Sequence, residues 1–331
     1  METVKVLLYI LVFPGFLFQS AFSTYLEWLD RKLYARMQNR RGPLYTGWSG
    51  ILQPVADLVK LMGKEDITPR LADKFMFNVL PLVSLASVCT AGLYLPVWHL
   101  RPFNSFEGDL IVVAYLLAIP SFVLFLAGWF SVSPFSLIGA TRVLTQLFAY
   151  EVPFFLALLT PGMLANSWRI DAIARFPWTG GAWWVILAQV LAFGVAVVTL
   201  QAKLERVPFD IPEAETEVVG GPLTEYSGKK LALFRLQKDI SMLVGAGLIA
   251  RLFLGRLTPV LAGLGAVPSL ILDLIWFLLT TILVVLLLSV IRAACARIRI
   301  DQIVTFSWRY LAPISLVQFL VVLAIKAGGV V

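Results

Sequence analysis

Cysteine and histidine are almost missing from this chain. Its 331 residues include two cysteines and one histidine. Cys89 and Cys295 lie far apart, each in or beside an apolar run, and form no C-x-x-C pair. That excludes an iron–sulfur cluster or zinc site built by this chain alone. His99 cannot supply bis-histidine haem ligation by itself, and beside Trp98 it reads as an ordinary loop residue. No G-x-G-x-x-G and no Walker-type phosphate loop occurs, so nucleotide chemistry is done elsewhere. The chain is expected to hold no cofactor covalently or by metal ligation. Charge is scarce as well, at 14% of residues against 59% hydrophobic. A soluble domain could not cover that much apolar surface.

The apolar residues come in runs of about 20, each long enough to cross a hydrocarbon core of about 30 Å. Short alternating segments of the β-barrel kind do not appear. The fold class is therefore an all-α membrane protein, one integral membrane domain over residues 1–331. Eight spans are expected: Val4–Leu26, Phe75–Val97, Leu110–Phe130, Val143–Leu164, Ala182–Ala202, Leu231–Leu254, Leu270–Ile291 and Leu311–Ala327. The first is too long for a signal-peptide core and lacks a small-residue cleavage site, so it reads as a retained span. The sixth is the least apolar, because Arg235, Lys238 and Asp239 occupy its first turns.

Of the 27 lysines and arginines, twenty fall in the odd-numbered loops and seven on the other side. The positive-inside rule then puts the odd loops in the cytoplasm and both termini outside. The net charge of +7 is thus a loop property and does not signal nucleic-acid binding. No repeat of the kind found in secondary transporters is visible.

Two cytoplasmic loops stand out. Within residues 30–74, the stretch Gly50–Lys64 places Ile51, Val55, Leu58, Val59 and Met62 on one helical face. Gln53, Asp57, Lys60 and Lys64 fall on the other. This predicts an amphipathic helix, lying either in the membrane interface or against a partner. Arg36, Arg40, Arg41, Asp57 and Lys60 are too many charges for a lipid-facing surface and are candidates for docking a soluble subunit. The second loop, residues 203–230, concentrates Asp210, Glu213, Glu215, Glu217 and Glu225. Asp210 and Glu213 have the spacing of a capping box, with Pro212 suited to a first helical turn. Glu215, Glu217 and Glu225 are not explained that way. On one helical face Glu213 and Glu217 would repel, raising the proton affinity of at least one of them. A proton relay and a solvated acidic loop both remain open. Glu151 lies about 12 Å inside the fourth span by helical rise, where an ionisable group is a functional candidate. Pairing with Arg142 is its structural alternative. Asp273 and Lys326, near outer span ends, are expected to snorkel.

Several strings together resemble a known family. They are Arg36-Met37-Gln38-Asn39-Arg40-Arg41-Gly42-Pro43, Leu52-Gln53-Pro54-Val55-Ala56-Asp57, Lys64-Glu65-Asp66-Ile67-Thr68-Pro69, Tyr150-Glu151 and the run Pro208–Gly228. They are similar to the H subunit of respiratory complex I (subunit 1 in mitochondria) and to the matching membrane component of energy-converting [NiFe] hydrogenases and ferredoxin-linked complexes. The resemblance covers nearly the whole chain. It implies a membrane subunit of a redox-driven, proton-translocating oxidoreductase in a prokaryotic cell membrane. Such a subunit sits in lipid among other membrane-arm subunits, beneath a peripheral electron-transfer arm. It also implies a quinone chamber shared with a neighbouring subunit, near Asp30, Arg31 and Arg206. Glu151, Asp210, Glu213, Glu215, Glu217 and Glu225 match the family's carboxylates.

Some residues depart from that pattern. Leu44 and Tyr45 replace the usual Asn-Arg after Gly-Pro, and Lys203 and Lys238 stand where complex I usually has glutamates. The strings Ala296–Gln302 and Gly220–Gly228 look more like the hydrogenase branch, while the full-length loop from Gly42 to Pro54 looks more like complex I. The equivalent subunit of a quinone-independent hydrogenase or sulfur-reducing complex therefore stays open, and beside it a stand-alone ion transporter.

Overall fold

Where lipid surrounds a chain its backbone can pair only with itself, and every regular element among the described residues is helical. The computed structural model describes residues 2–98, 105–176, 183–255 and 266–327, so His99 falls outside them. The helices are α1 (Glu2–Leu11), α2 (Phe16–Met37), α3 (Gln53–Met62), α4 (Lys74–Leu93), α5 (Asp109–Phe130), α6 (Pro134–Ala165) and a short α7 (Ile170–Ala174). They continue as α8 (Trp183–Lys203), a single turn α9 (Glu215–Val218), α10 (Gly228–Ile249), α11 (Ala266–Ala294), α12 (Ile300–Phe306) and α13 (Ala312–Ala327). Wider π-type turns extend α10 over Ala250–Leu254 and join α12 to α13 over Ser307–Leu311.

Among the described residues seven helical stretches are long and apolar enough to cross a membrane. The eighth expected span is α10 with its π-type extension. It falls short because Arg235, Lys238 and Asp239 lower its hydropathy. Helices α2, α4, α8 and α11 pack around it, and every residue from Ile240 to Phe253 is buried. It nonetheless runs from one end of the bundle to the other. At its start Lys230 pairs with Asp66 at 3.0 Å. At its far end Arg251 donates to the Val97 carbonyl at 2.8 Å. That far end also holds Tyr9 of α1, which donates to the Leu93 carbonyl, and Lys326 of α13, which donates to Asn166. The first and last helices thus reach the end of the bundle opposite the charged loops.

The expected first span is broken. Helix α1 stops at Leu11, and the chain turns so closely that a Cβ at Gly15 would sit 1.8 Å from the Ile10 carbonyl oxygen. Helix α2 then continues to Met37, so Glu27, Asp30 and Arg31 ride on a helix instead of opening a loop. Helix α4 starts on a side-chain cap, the Asp73 carboxylate accepting from the Phe75 and Met76 amides at 3.0 Å. Helix α6 begins nine residues before the expected span, because Pro134 suits its first turn.

Asp273 does not snorkel. It and Arg251 are both 0% exposed, with Nη1 of Arg251 at 3.1 Å from the carboxylate and the guanidinium 5.0 Å above the Phe277 ring. Breaking such a pair strands a buried charge at a cost of about 3–5 kcal/mol, whereas replacing both partners with apolar residues is often close to neutral. Arg251→Leu should therefore lower the unfolding midpoint of the detergent-solubilised protein sharply. The double variant Arg251→Met, Asp273→Leu should recover most of the loss in the same melt.

Candidate functional site at the charged end of the bundle

The 203–230 segment is not a solvated loop. Leu204, Phe209, Ile211, Ala214, Val218 and Tyr226 are all buried, so the chain folds back onto the bundle. Gln201 donates to the Val207 carbonyl at 2.6 Å, and Gln146 donates to the Ala202 and Phe209 carbonyls at 2.8 and 2.9 Å. Glycine is required where this segment crosses itself and α6. A Cβ at Gly221, whose φ is +54°, would meet the Pro212 oxygen at 1.9 Å, and one at Gly139 would meet Gly221 and Pro222 at 2.6 Å. Tyr226 then stacks on Phe77 with 4.0 Å between ring centres.

This folding separates carboxylates that are neighbours in sequence. Asp210 pairs with Arg297, Glu213 with Lys238 at 3.0 Å, and Glu217 with Arg142. Neither Asp210 nor Glu213 caps a helix, because α9 begins only at Glu215 after Ala214. Glu213 and Glu217 do not face each other as a pair. Each meets its own cation, which removes the repulsion that the sequence spacing suggests. The side chain of Glu215 lies outside the described residues, and Glu225 is half-buried and lines neither cavity described below.

Helix α2 meets the segment through Arg206. Its guanidinium lies 2.7 Å from Glu27 and 3.0 Å from Asp30. Burial works against the charge on Arg206, but Asp30 and Glu27 together push its pKa above the usual arginine value. Asp30 is 0% exposed and also accepts from Ser289 at 2.6 Å and from Arg292 of α11. Arg31 bridges Glu27 at 2.8 Å and Asp57 of α3 at 2.7 Å. Burial would raise the Asp57 carboxyl, yet the bonds from Arg31 and Gln53 hold it below the ordinary range.

These groups enclose a cavity of about 450 Å³. Its acids are Glu27, Asp57, Glu205, Asp210, Glu213 and Asp239; its bases are Arg31, Lys60, Arg206, Arg235, Lys238 and Arg292. The balance of charges makes it polar without favouring either sign of ion. Helix α3 forms one wall with Pro54, Asp57, Leu58, Lys60 and Leu61, while Val55, Val59 and Met62 are exposed. Arg36, Arg40 and Arg41 are exposed, with Arg40 over the Tyr34 ring, and Lys60 is exposed at the cavity; Asp57 instead turns inward to Arg31.

A second, smaller cavity of about 40 Å³ lies deeper, with room for a few water molecules at roughly 10–15 Å³ each. Glu205, Glu213 and Lys238 line both cavities and separate them. Lys238 sits 3.2 Å from Glu205 and 3.0 Å from Glu213. Burial pushes the Glu205 carboxyl above its ordinary range against the pull of Lys238, and the nearby Glu213 adds to the rise. Burial also acts to raise Glu213, but Lys238 and Arg235 hold it below. Glu205 carries φ +51°, a left-handed conformation costly for any residue but glycine. That turn brings its side chain into the shared wall just after α8 ends. On the inner side of the small cavity stands Lys203, which pairs with Glu151 at 2.8 Å. Glu151 is therefore not bound to Arg142.

Glu27, Asp239 and Arg292 join the site without being expected from the sequence. Glu27 carries one signal: with Asp30 and Arg31 it marks one helical face at i, i+3, i+4. Arg292 carries none, since 262 residues separate it from Asp30.

Known proteins resemble this chain along most of its length. The family model described as NADH dehydrogenase matches residues 8–323. The H subunit of the NADH-quinone oxidoreductase of Brevibacillus brevis is 36% identical over 299 residues, covering 90% of this chain and 87% of that protein. The NADH-quinone oxidoreductase subunit 8 of Thermus thermophilus is 36% identical over 325 residues, covering 96% and 86%. The corresponding H subunit of Dehalococcoides mccartyi is 34% identical over 326 residues, covering 96% and 86%.

The shared cation makes the Glu205–Glu213 pair testable. With Lys238 in place, the depressed Glu213 contributes stability above the carboxylate range and loses it as pH falls through that range. Lys238→Met removes the cation that the two carboxyls share and leaves Arg235 acting on Glu213 alone, so one of the two should take up a proton near neutral pH. The infrared band of a protonated carboxylic acid should appear in that variant and disappear when Glu205→Gln is added.

Proposed function

This chain belongs to the NADH dehydrogenase family that includes the H subunits of the NADH-quinone oxidoreductases, and from that membership we propose that it couples electron transfer in a docked peripheral arm to proton movement through its own buried charges. It is a multi-pass membrane protein, and in this reading it lies in a prokaryotic cell membrane with the charged end in the cytoplasm and both termini outside. In the same reading it carries no redox centre of its own. The large cavity forms one wall of a quinone-type chamber completed by a neighbouring subunit, with Arg31 and Arg206 at that wall and Asp30, which the sequence also offered, buried behind Arg206.

One observation carries the proposal: Glu205, Glu213 and Lys238 are the common wall of the two cavities, and the inner cavity ends on the Lys203–Glu151 pair. A change of charge in the large cavity acts directly on Glu213, whose proton affinity is set by Lys238 and Arg235. A proton displaced there has a path inward through the small cavity toward Glu151. Asp210 and Glu217, tied to Arg297 and Arg142, hold the segment in place.

The path is tested by Glu213→Gln and Glu151→Gln. The amide keeps size and hydrogen bonding but takes up no proton near neutral pH. Both complexes should assemble on a native gel and move protons at least tenfold more slowly in inverted membrane vesicles. Wild-type proton movement per electron in both variants would reject the relay. A cysteine at position 217, in a background without Cys89 and Cys295, should be labelled only from the cytoplasmic side.

Docking has its own test. Arg36, Arg40 and Arg41 are exposed and line neither cavity. Reversing the charge of Arg40 and Arg41 together should release the peripheral arm and leave the membrane arm intact on a native gel.

A further inference from the structure

Lys203 is a lysine in an unusual place. Its side chain is 4% exposed, and its ammonium meets one carboxylate among the described residues, Glu151, at 2.8 and 3.1 Å. The same ammonium lies over the faces of Tyr150 and Phe154, 5.3 and 4.7 Å from the nitrogen to the ring centres. Across the small cavity stand Glu205, Glu213 and Lys238. The neighbouring cations Arg206 and Lys238 each have two carboxylate partners: Glu27 and Asp30 for the first, Glu205 and Glu213 for the second. Lys203 has one, and it stands between the cavity and the carboxylate that the cavity would serve.

We propose that Lys203 is a proton-carrying residue of the path, placed in series between the Glu205–Glu213 wall and Glu151, and not only the counter-ion of Glu151. The inference rests on the relay reading above. The step conserves charge. One proton leaves the Lys203 ammonium for the Glu151 carboxylate, giving an amine and a carboxylic acid. The amine then takes a proton from the Glu205–Glu213 side through water in the small cavity. The first transfer leaves no lone charge among apolar groups, because an ion pair becomes a neutral pair. In a low-dielectric site that conversion avoids most of the desolvation cost of separating the partners. Lysine suits the role because it can lose its proton when buried, which arginine does not.

Three substitutions pull the roles apart. Lys203→Arg keeps the positive charge opposite Glu151 but cannot give up a proton. Lys203→Glu can carry a proton but cannot neutralise Glu151. Lys203→Met does neither. Each is compared as an assembled complex on a native gel. Proton movement per electron is then read in inverted vesicles energised with NADH and a short-chain quinone, or with reduced ferredoxin where NADH is not oxidised. A proton carrier predicts that Arg falls at least tenfold, as Met does, while Glu retains a clearly larger share than Met. A mere counter-ion predicts the reverse order, and wild-type coupling in Lys203→Arg overturns the proposal. Where one variant fails to assemble, the comparison of the other with Met decides alone. Glu213→Gln in the same vesicles separates the two levels. If it pumps normally the relay itself is wrong; if it is impaired while Lys203→Arg is normal, only the role of Lys203 falls.

Discussion

Arg206 is the cation around which the charged end is assembled. It comes from the segment after α8, and both of its carboxylates come from α2. One of those, Asp30, also takes Arg292 from α11. An unpaired charge in such surroundings costs several kcal/mol, so these three parts of the chain cannot drift apart without stranding one. The large cavity follows from that constraint, because its walls are the helices these pairs hold in register. Arg31 then extends the network from Glu27 to Asp57 and fixes α3 over the opening.

The charged pairs form two groups. Arg297 with Asp210 and Arg142 with Glu217 join the 203–230 segment to its neighbours, each pair with one exposed partner, and Asp210 also faces the large cavity. Lys238 with Glu205 and Glu213, and Lys203 with Glu151, lie between cavities or beside one. The side chains of the second group are the more deeply enclosed. The strained backbone at Glu205 supports that division, since a left-handed glutamate persists only where its surroundings hold it.

Much of the architecture is legible in the sequence, because lipid demands long apolar runs and their lengths are hard to miss. The spans α5, α8 and α11 fall within a few residues of expectation. Helix α10 is the difficult one. Its charged first turns lower its hydropathy, and only the packing shows that other helices enclose it. The site is less legible. The run Pro208–Gly228 stands out by composition, but its spacing suggests a helix cap at Asp210 and a repelling pair at Glu213 and Glu217. Neither exists, because Arg297, Lys238 and Arg142 come from distant parts of the chain. Likewise Asp273 reads as a surface carboxylate in the sequence, where nothing places Arg251 beside it. Long-range ion pairs leave no local periodicity, so sequence spacing cannot report them.

The enclosure of α10 has a consequence for how the protein is made. A helix carrying Lys229, Lys230, Arg235, Lys238 and Asp239 is poorly suited to entering lipid alone. Its neighbours α2, α4 and α8 all precede it in the chain, so a cradle exists before the ribosome releases it. Its last charge, Arg251, finds Asp273 only when α11 follows. Biogenesis thus has a built-in order: α10 leaves the translocon into a waiting bundle, and α11 then latches it there.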